Sequence, residues 1–599
     1  MFQSFDSPTS PEAGPPRLAA LRGELAHEGL QGFLIPRADA HQGEYVAPRD
    51  DRLAWLTGFT GSAGFCIALE KVAGVFVDGR YRVQVKAQVD LGHFTPVDWP
   101  ETKPGDWLKT QLPGGVVGFD PWLHAVSEIE TLQRSLDGSG IGLRASANLL
   151  DRCWADQPAP PLGAITPYPL DFAGETAADK CARLARTLTE AGHRAAVITL
   201  PDSIAWLLNI RGTDIPRNPV PHCFAILHES GAVDLFAAPE KLDSALREHL
   251  GAGVRLCAPG DFGPRLQALT GPVRIDPASC PVWVQMQLGA ADIRIARAAD
   301  PCILPKACKN TAEIEGSRSA HLRDAVAMCR LLAWFDSADK AALHEVDIVT
   351  ALEGFRAETN ALRDISFDTI CGSGPNGALP HYRVSQASNR QLRDGDLIVL
   401  DSGGQYLDGT TDITRTLMVG QPGPEEKACF TRVLQGMIGI SRLRFPRGLA
   451  GQHLDAIARR PLWEAGLDYD HGTGHGVGTY LCVHEGPQRL SRLSDVALQP
   501  GMILSNEPGY YREGAFGIRI ENLIVVQAAP DLPGGDKRAM LDFETLTWVP
   551  IDTRLIDQAL LTRAEVDWIN AYHAACREKI APRLDDSVAI WLHRATEPI

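Results

Sequence analysis

No stretch of about 18 apolar residues occurs in the chain, so no membrane-crossing helix is expected. Positive charge is in short supply: 58 Lys and Arg face 74 Asp and Glu, a net charge of −16. That balance counts against a nucleic-acid partner, which needs a basic face. The opening MFQSFDSPTSPEAGPP has no basic segment leading into an apolar run, so residues 1–16 read as a flexible tail and not as a signal peptide. The 13 cysteines are odd in number and scattered, with no CxxC pair. The pattern predicts reduced core thiols, such as Cys66 and Cys329, and a cytoplasmic setting. Several catalytic signatures are missing too. Without GxSxG there is no α/β-hydrolase elbow; the glycine-rich run 471–478 has neither GxxxxGK[ST] nor GxGxxG spacing and so is no standard phosphate cradle; without HExxH there is no zincin helix.

What is present is ordinary globular composition, 44% hydrophobic and 22% charged, over 599 residues. That length exceeds one core and implies three or four domains. The first half carries an internal echo. Residues Leu21–Ile35 and Leu184–Ile198 each read as amphipathic helix, glycine turn and apolar strand, and each is followed by Ala-Trp-Leu, at Ala54–Leu56 and Ala205–Leu207. Two related α/β domains in tandem are expected, at 17–160 and 161–308, with the proline-rich run Asp156–Pro161 as linker. Near Leu304-Pro305 a third domain, 309–599, begins. Asn310 with Glu313 three residues on resembles a capping box and opens a helix to about Phe335. Beyond it helices and strands mix in an α+β pattern: a strand Leu397–Leu400, a hairpin arm Tyr406–Val419, a strand Met502–Asn506, an alternating run Ile518–Val526, and a helix from Thr562 to about Leu584.

Those strands and turns carry the chemistry. Asp401 ends the apolar run LIVL, and Asp412 lies among Thr410, Thr411, Thr414 and Thr416, sharing a strand face with the last two. The segment 471–478, HGTGHGVG, presents His471 and His475 from a glycine-rich backbone that allows close approach. His484 follows in VHEGP, Glu507 stands before Pro508-Gly509, and Glu521 follows Arg519 at strand period. Asp401, Asp412, Glu507 and Glu521 beside one imidazole cannot share a dry pocket unless cations neutralise them. Two divalent ions would do so, and two-metal sites activate water. Arg519 is placed to hold a ligating carboxylate.

In order and with their flanking words, these segments resemble the pita-bread metallopeptidases, the family of methionine aminopeptidase, prolidase, aminopeptidase P and creatinase. The match is closest to the long, three-domain cytosolic aminopeptidase P branch. It rests on Gly374-Pro375-Asn376-Gly377-Ala378 leading to His381-Tyr382, on Val483–Pro487, on Trp55–Gly64 and Asp78-Gly79-Arg80-Tyr81, and on Ile204–Asn209 and Arg211–Pro216. It covers nearly the whole chain and departs at no ligand position.

The resemblance implies two tandem creatinase-like domains followed by a pita-bread catalytic domain, with a C-terminal extension from about 540 to 599. It implies metal-dependent removal of the N-terminal residue from peptides with proline second, by attack of a metal-bridging water. Two divalent ions, Mn2+ in this branch, would be held by Asp401, Asp412, His475, Glu507 and Glu521; by the same analogy Asp412 and Glu521 bridge both ions, and Glu507 is also the general base. His484 would bond the substrate or the tetrahedral oxygen, His381 and His471 would line the substrate pocket, and Arg80 would reach the substrate from the N-terminal region. A homodimer is implied, with neither nucleic acid nor membrane as partner. The rival readings are a prolidase, which takes dipeptides only, and a non-catalytic peptide-binding relative, which would have lost its ligands.

Overall fold

The computed structural model describes residues 1–6 and 9–599. The chain separates into two compact units, Pro8–Ile303 and Leu304–Ile599 with the first N-terminal residues.

The N-terminal unit holds two six-stranded sheets of one topology. The first is built from β1 (Gly32–Pro36), β2 (Phe65–Leu69), β3 (Ala73–Val77), β4 (Thr95–Asp98), β5 (Gly115–Phe119) and β6 (Ile141–Ala145). The second uses β7 (Ala195–Ile198), β8 (Phe224–His228), β9 (Val233–Phe236), β10 (Val254–Cys257), β11 (Val273–Ile275) and β12 (Ile295–Arg297). The orders are β4-β3-β2-β1-β5-β6 and β10-β9-β8-β7-β11-β12, identical after a shift of six strands. In each, the first three strands are antiparallel and the outer pairs are parallel. The echo read in the sequence therefore has a structural counterpart. Helix Gly14–Glu28 leads into β1, and helix Ala177–Glu190 into β7. Just beyond each helix a glycine, Gly29 at φ 64° and Gly192 at φ 73°, takes the left-handed turn that other residues resist. The sheets' domains meet through a Trp122–Trp283 ring stack at 3.9 Å and a backbone bond from Val126 to Cys280.

The C-terminal unit opens with the helix Thr311–Ser337, started by the Asn310–Glu313 capping box. Its buried face, with Met328, Cys329, Leu332 and Phe335, packs with Ile348, Val349 and Leu352 of helix Glu345–Ala357. Both cover Ile398 and Leu400 of a three-stranded sheet, β13 (Ile370–Ser373), β14 (Leu397–Ser402) and β15 (Ile413–Met418), ordered β13-β14-β15. A six-stranded sheet follows, made of β16 (Phe445–Pro446), β17 (Gly474–Gly476), β18 (Glu485–Leu490), β19 (Ile503–Asn506), β22 (Asn522–Ala528) and β23 (Met540–Thr545). Its order is β16-β23-β22-β19-β17-β18, and the hairpin β20 (Gly509–Arg512) and β21 (Phe516–Arg519) is inserted between its strands in sequence. Near the C-terminus, helix Arg563–Ile580, capped by Thr562 and Glu565, is followed by a last helix, Asp586–Ala595.

Three expectations are revised. Of the tail expected over residues 1–16, Ser7 and Pro8 lie outside the described residues, and the residues at its start are held in place. Gln3 is buried and pairs both ways with the Thr369 backbone, at 2.8 and 3.2 Å, and Phe2 N donates to Glu353 at 2.6 Å. Those amide partners order residues that composition alone marks as loose, and at the far end of the segment helix Gly14–Glu28 has already begun. The arm through Asp412 and the run through Glu521 are each broken at the acidic residue: Asp412 precedes β15, and Glu521 lies between β21 and β22. All 13 cysteines are unpaired thiols.

Candidate metal centre

Four of the five ligand-type residues sit at strand ends or gaps, and His475 sits beside a register shift in a three-residue strand. Asp401 is near the end of β14, directly opposite Thr414 of β15. Asp412 stands one residue before β15. His475 is the middle of β17, Glu507 follows β19, and Glu521 precedes β22. Between strands the backbone is released from the ladder, so a carboxylate can turn inward without displacing a core side chain.

Ligating atoms of Asp412, His475 and Glu521 lie within 4.8 Å of one another. His475 Nε2 is 3.5 Å from Asp412 Oδ2 and 3.4 Å from Glu507 Oε1. Its Nδ1–H donates to Gly476 O at 2.9 Å, which leaves the Nε2 lone pair facing the carboxylates. Gly474 permits this approach: a Cβ there would fall 1.9 Å from the Ser505 carbonyl oxygen. Ser505 Oγ receives His475 N at 2.8 Å and donates to Glu507 Oε1 at 3.0 Å, and Glu507 N donates to Thr473 O at 2.8 Å.

The remaining carboxylates are aimed by polar neighbours. Thr414 Oγ1 donates to Glu521 Oε2 at 3.0 Å. Arg519 Nη2 donates to Asp401 Oδ2 at 2.6 Å, Nη1 reaches Tyr511 OH at 2.5 Å and Pro380 O at 3.1 Å, and Nε reaches Thr414 Oγ1 at 3.2 Å. The carboxylate that Arg519 holds is thus that of Asp401. The Tyr511 hydroxyl meets His471 Nε2 at 2.9 Å, so a relay runs from Arg519 through Tyr511 to His471. Arg415, fully buried, pins the Glu521 and Thr414 carbonyls at 2.6 and 2.8 Å and ties them to Val549, Pro550 and Tyr572 near the C-terminus.

The two other histidines expected at the site are close by. The His484 ring stands edge-on to His475 with centroids 4.4 Å apart, and His381 directly follows the Pro380 whose carbonyl Arg519 holds. Arg80 belongs to the N-terminal unit, where its guanidinium forms a two-pronged pair with Asp78. The sequence reading missed Tyr511, Ser505, Thr414 and Arg415. Tyr511 lies in the apparent turn between Glu507 and Glu521, and only its approach to Arg519 marks it.

The residues fit divalent ions. Asp401 Oδ1, Asp412 Oδ1 and Glu521 Oε1 are buried and accept no hydrogen bond. Burial first, then mutual repulsion, holds the Asp412 and Glu521 carboxyls well above the ordinary range; burial also raises Glu507, against the pull of His475. Four carboxylates against one guanidinium leave three negative charges in a buried site, which two divalent ions convert to a single positive one.

Four segments of the chain match known families. Residues 17–153 and 156–313 each match the creatinase/prolidase N-terminal domain, 315–528 match metallopeptidase family M24, and 539–599 match the C-terminal region of peptidase M24. A protein of Paracoccidioides brasiliensis (strain Pb03) called probable Xaa-Pro aminopeptidase P is 39% identical over 97% of this chain and 99% of its own. Aminopeptidase P1 of Lotus japonicus is 36% identical over 97% of this chain and 99% of its own. Among solved structures, the X-prolyl aminopeptidase of Caenorhabditis elegans, described as a cytosolic enzyme with a di-nuclear active site, has a TM-score of 0.93 at 32% identity, over 98% of this chain and 99% of its own.

Proposed function

The chain belongs to metallopeptidase family M24, and from that premise we propose that it hydrolyses the bond between an N-terminal residue and a following proline in peptides. The observation that carries this reading is the convergence of Asp412, His475, Glu507 and Glu521, with Asp401 tied to them through Arg519 and Thr414, in a chain that matches aminopeptidase P relatives over nearly all its length. Those five residues hold two divalent ions. Four carboxylates with one imidazole form a hard, oxygen-rich set, which favours Mn2+. When bound, such ions polarise the scissile carbonyl and acidify an attacking water.

The chain's own groups do the rest. Glu507 takes the water's proton: Ser505 orients one oxygen, and burial raises the carboxyl's affinity for protons. Arg519 and Thr414 keep Asp401 and Glu521 in place, so the acidic groups need no reorganisation during reaction. We assign His484, His381 and His471 to the substrate, with His471 steadied by Tyr511. Arg80, made rigid by Asp78, is assigned to substrate binding as well. An Xaa–Pro bond is a tertiary amide without N–H, and its ring has a restricted φ, so a pocket shaped to the ring gains from low ligand entropy. We place the protein in the cytoplasm, as a homodimer, a reading supported by the cytosolic relative and by the family resemblance.

Glu507→Ala should abolish turnover of Xaa-Pro-Xaa tripeptides while the fold is retained; full-rate turnover would overturn the assignment. Comparing a tripeptide with an Xaa-Pro dipeptide separates this activity from that of a prolidase, which would accept only the dipeptide.

A further inference from the structure

A second group of metal-type ligands lies in the N-terminal unit. Asp39 follows β1, Asp50 ends the turn Pro48–Asp50, and His222 precedes β8 of the second sheet. One ligating atom from each falls within 4.8 Å of the others. We propose that Asp39, Asp50 and His222 bind a divalent transition-metal ion that staples the two N-terminal domains together.

Asp39 is 2% exposed. Its Oδ1 receives the backbone N–H of His41 at 2.8 Å and of Gly43 at 3.2 Å, so the direction of Oδ2 is set by the loop. Oδ2 is aimed into the cluster at His222 Nε2, and both atoms are buried with no group other than each other placed to pair with them in good hydrogen-bond geometry. The two atoms stand 3.1 Å apart, near the edge length of about 3.4 Å expected between N and O ligands of a tetrahedral zinc. The His222 ring is held by the His41 ring at 4.4 Å, which in turn stacks on Phe224 at 4.4 Å. Two carboxylates and an imidazole make a borderline donor set suited to Zn2+, with solvent completing the coordination.

Local charge favours a divalent ion over a proton. Arg52 holds Asp151 through two bonds, at 2.7 and 3.0 Å, and Asp50 Oδ1 at 2.9 Å. Lys241 pairs with Asp214 at 2.6 Å, and Asp214 also receives His222 N. Two cations therefore face four carboxylates, leaving two negative charges. One divalent ion cancels both, whereas a protonated His222 cancels one, and a buried uncompensated carboxylate is costly.

The test is the metal content of the full chain after reconstitution with excess Zn2+ and removal of free ion. Three ions per chain are expected for the wild type and two for Asp39→Asn and for His222→Gln, with tripeptide turnover unchanged in both. A zinc-edge anomalous map of wild-type crystals should show a peak shared by Asp39, Asp50 and His222, a readout independent of how the variants fold. Equal metal content in all three proteins, or a map with no peak between Asp39 and His222, would overturn the proposal. Either result leaves the M24 centre untouched, since loss of ions there is read by Glu521→Gln and by activity.

Discussion

Removing the ions with a chelator should leave a protein whose C-terminal unit weakens as pH rises. The direction follows from the buried carboxyls. Asp412, Glu507 and Glu521 are all raised above their ordinary values of 3.8, 4.5 and 4.5, with burial as the first cause. In the unfolded chain they ionise at those ordinary values. Above them, the folded chain keeps protons that the unfolded chain has released. The stabilisation by these groups is thus complete below about pH 4 and is lost as pH climbs through the higher folded values. Each proton bound only by the folded state is worth about 1.4 kcal/mol per pH unit, so three groups set a ceiling of about 4 kcal/mol per unit. They titrate as a cluster, which spreads the loss over a wider range. Loading with Mn2+ replaces the protons by metal charge and should flatten the slope. Native-state hydrogen exchange of β14 and β15 amides, corrected for intrinsic exchange, reads this unit alone. Protection in the metal-free protein should fall as pH rises above the ordinary carboxyl values of 3.8 and 4.5, and Asp412→Asn should reduce that fall by up to one proton's worth. Protection that is flat or rising in the metal-free protein would refute the reasoning.

Three further outcomes follow from contacts at and around the centre. Gly474→Ala puts a Cβ 1.9 Å from the Ser505 oxygen, so β17 and β19 must part; a loss of about 1–3 kcal/mol and of tripeptide turnover is expected, and an unchanged melting midpoint would deny the close approach. Arg519→Lys offers one compact charge where Asp401, Tyr511, Thr414 and Pro380 need a planar fork, and metal affinity, measured against a chromogenic chelator, should drop about 10–100-fold. Asp324→Asn breaks a buried two-pronged pair with Arg356, at 2.8 and 2.9 Å, and disturbs the bond from Tyr406 OH at 2.7 Å; denaturant unfolding should show a loss of about 3–5 kcal/mol.

Much of the centre was legible before folding because its signals are local. An apolar run ending in Asp401, glycines crowding around His475, and a proline after Glu507 all restrict where those side chains can point. The helix beginning at Thr311 was legible for the same reason, since its capping box closes within four residues. Asp412 and Glu521 were legible as ligand types but not as strand breaks: alternation continues on either side of each, and nothing local reports that the ladder lapses there. The opening tail was misread because the partners of Gln3 lie more than 300 residues away.

Donor chemistry and strand-forming stretches are written into the chain itself, because side-chain type and short-range alternation act over a few residues. Arg519 shows where that reach stops. At strand period its neighbour in sequence is Glu521, yet its guanidinium goes to Asp401, 118 residues away. Only the docking of β21 beside β14 and β15 chooses that carboxylate, whereas Tyr511 meets Arg519 within the β20–β21 hairpin itself and carries the contact on to His471. Contacts of that range depend on which sheet faces pack together, a property of the assembled core and not of any single segment.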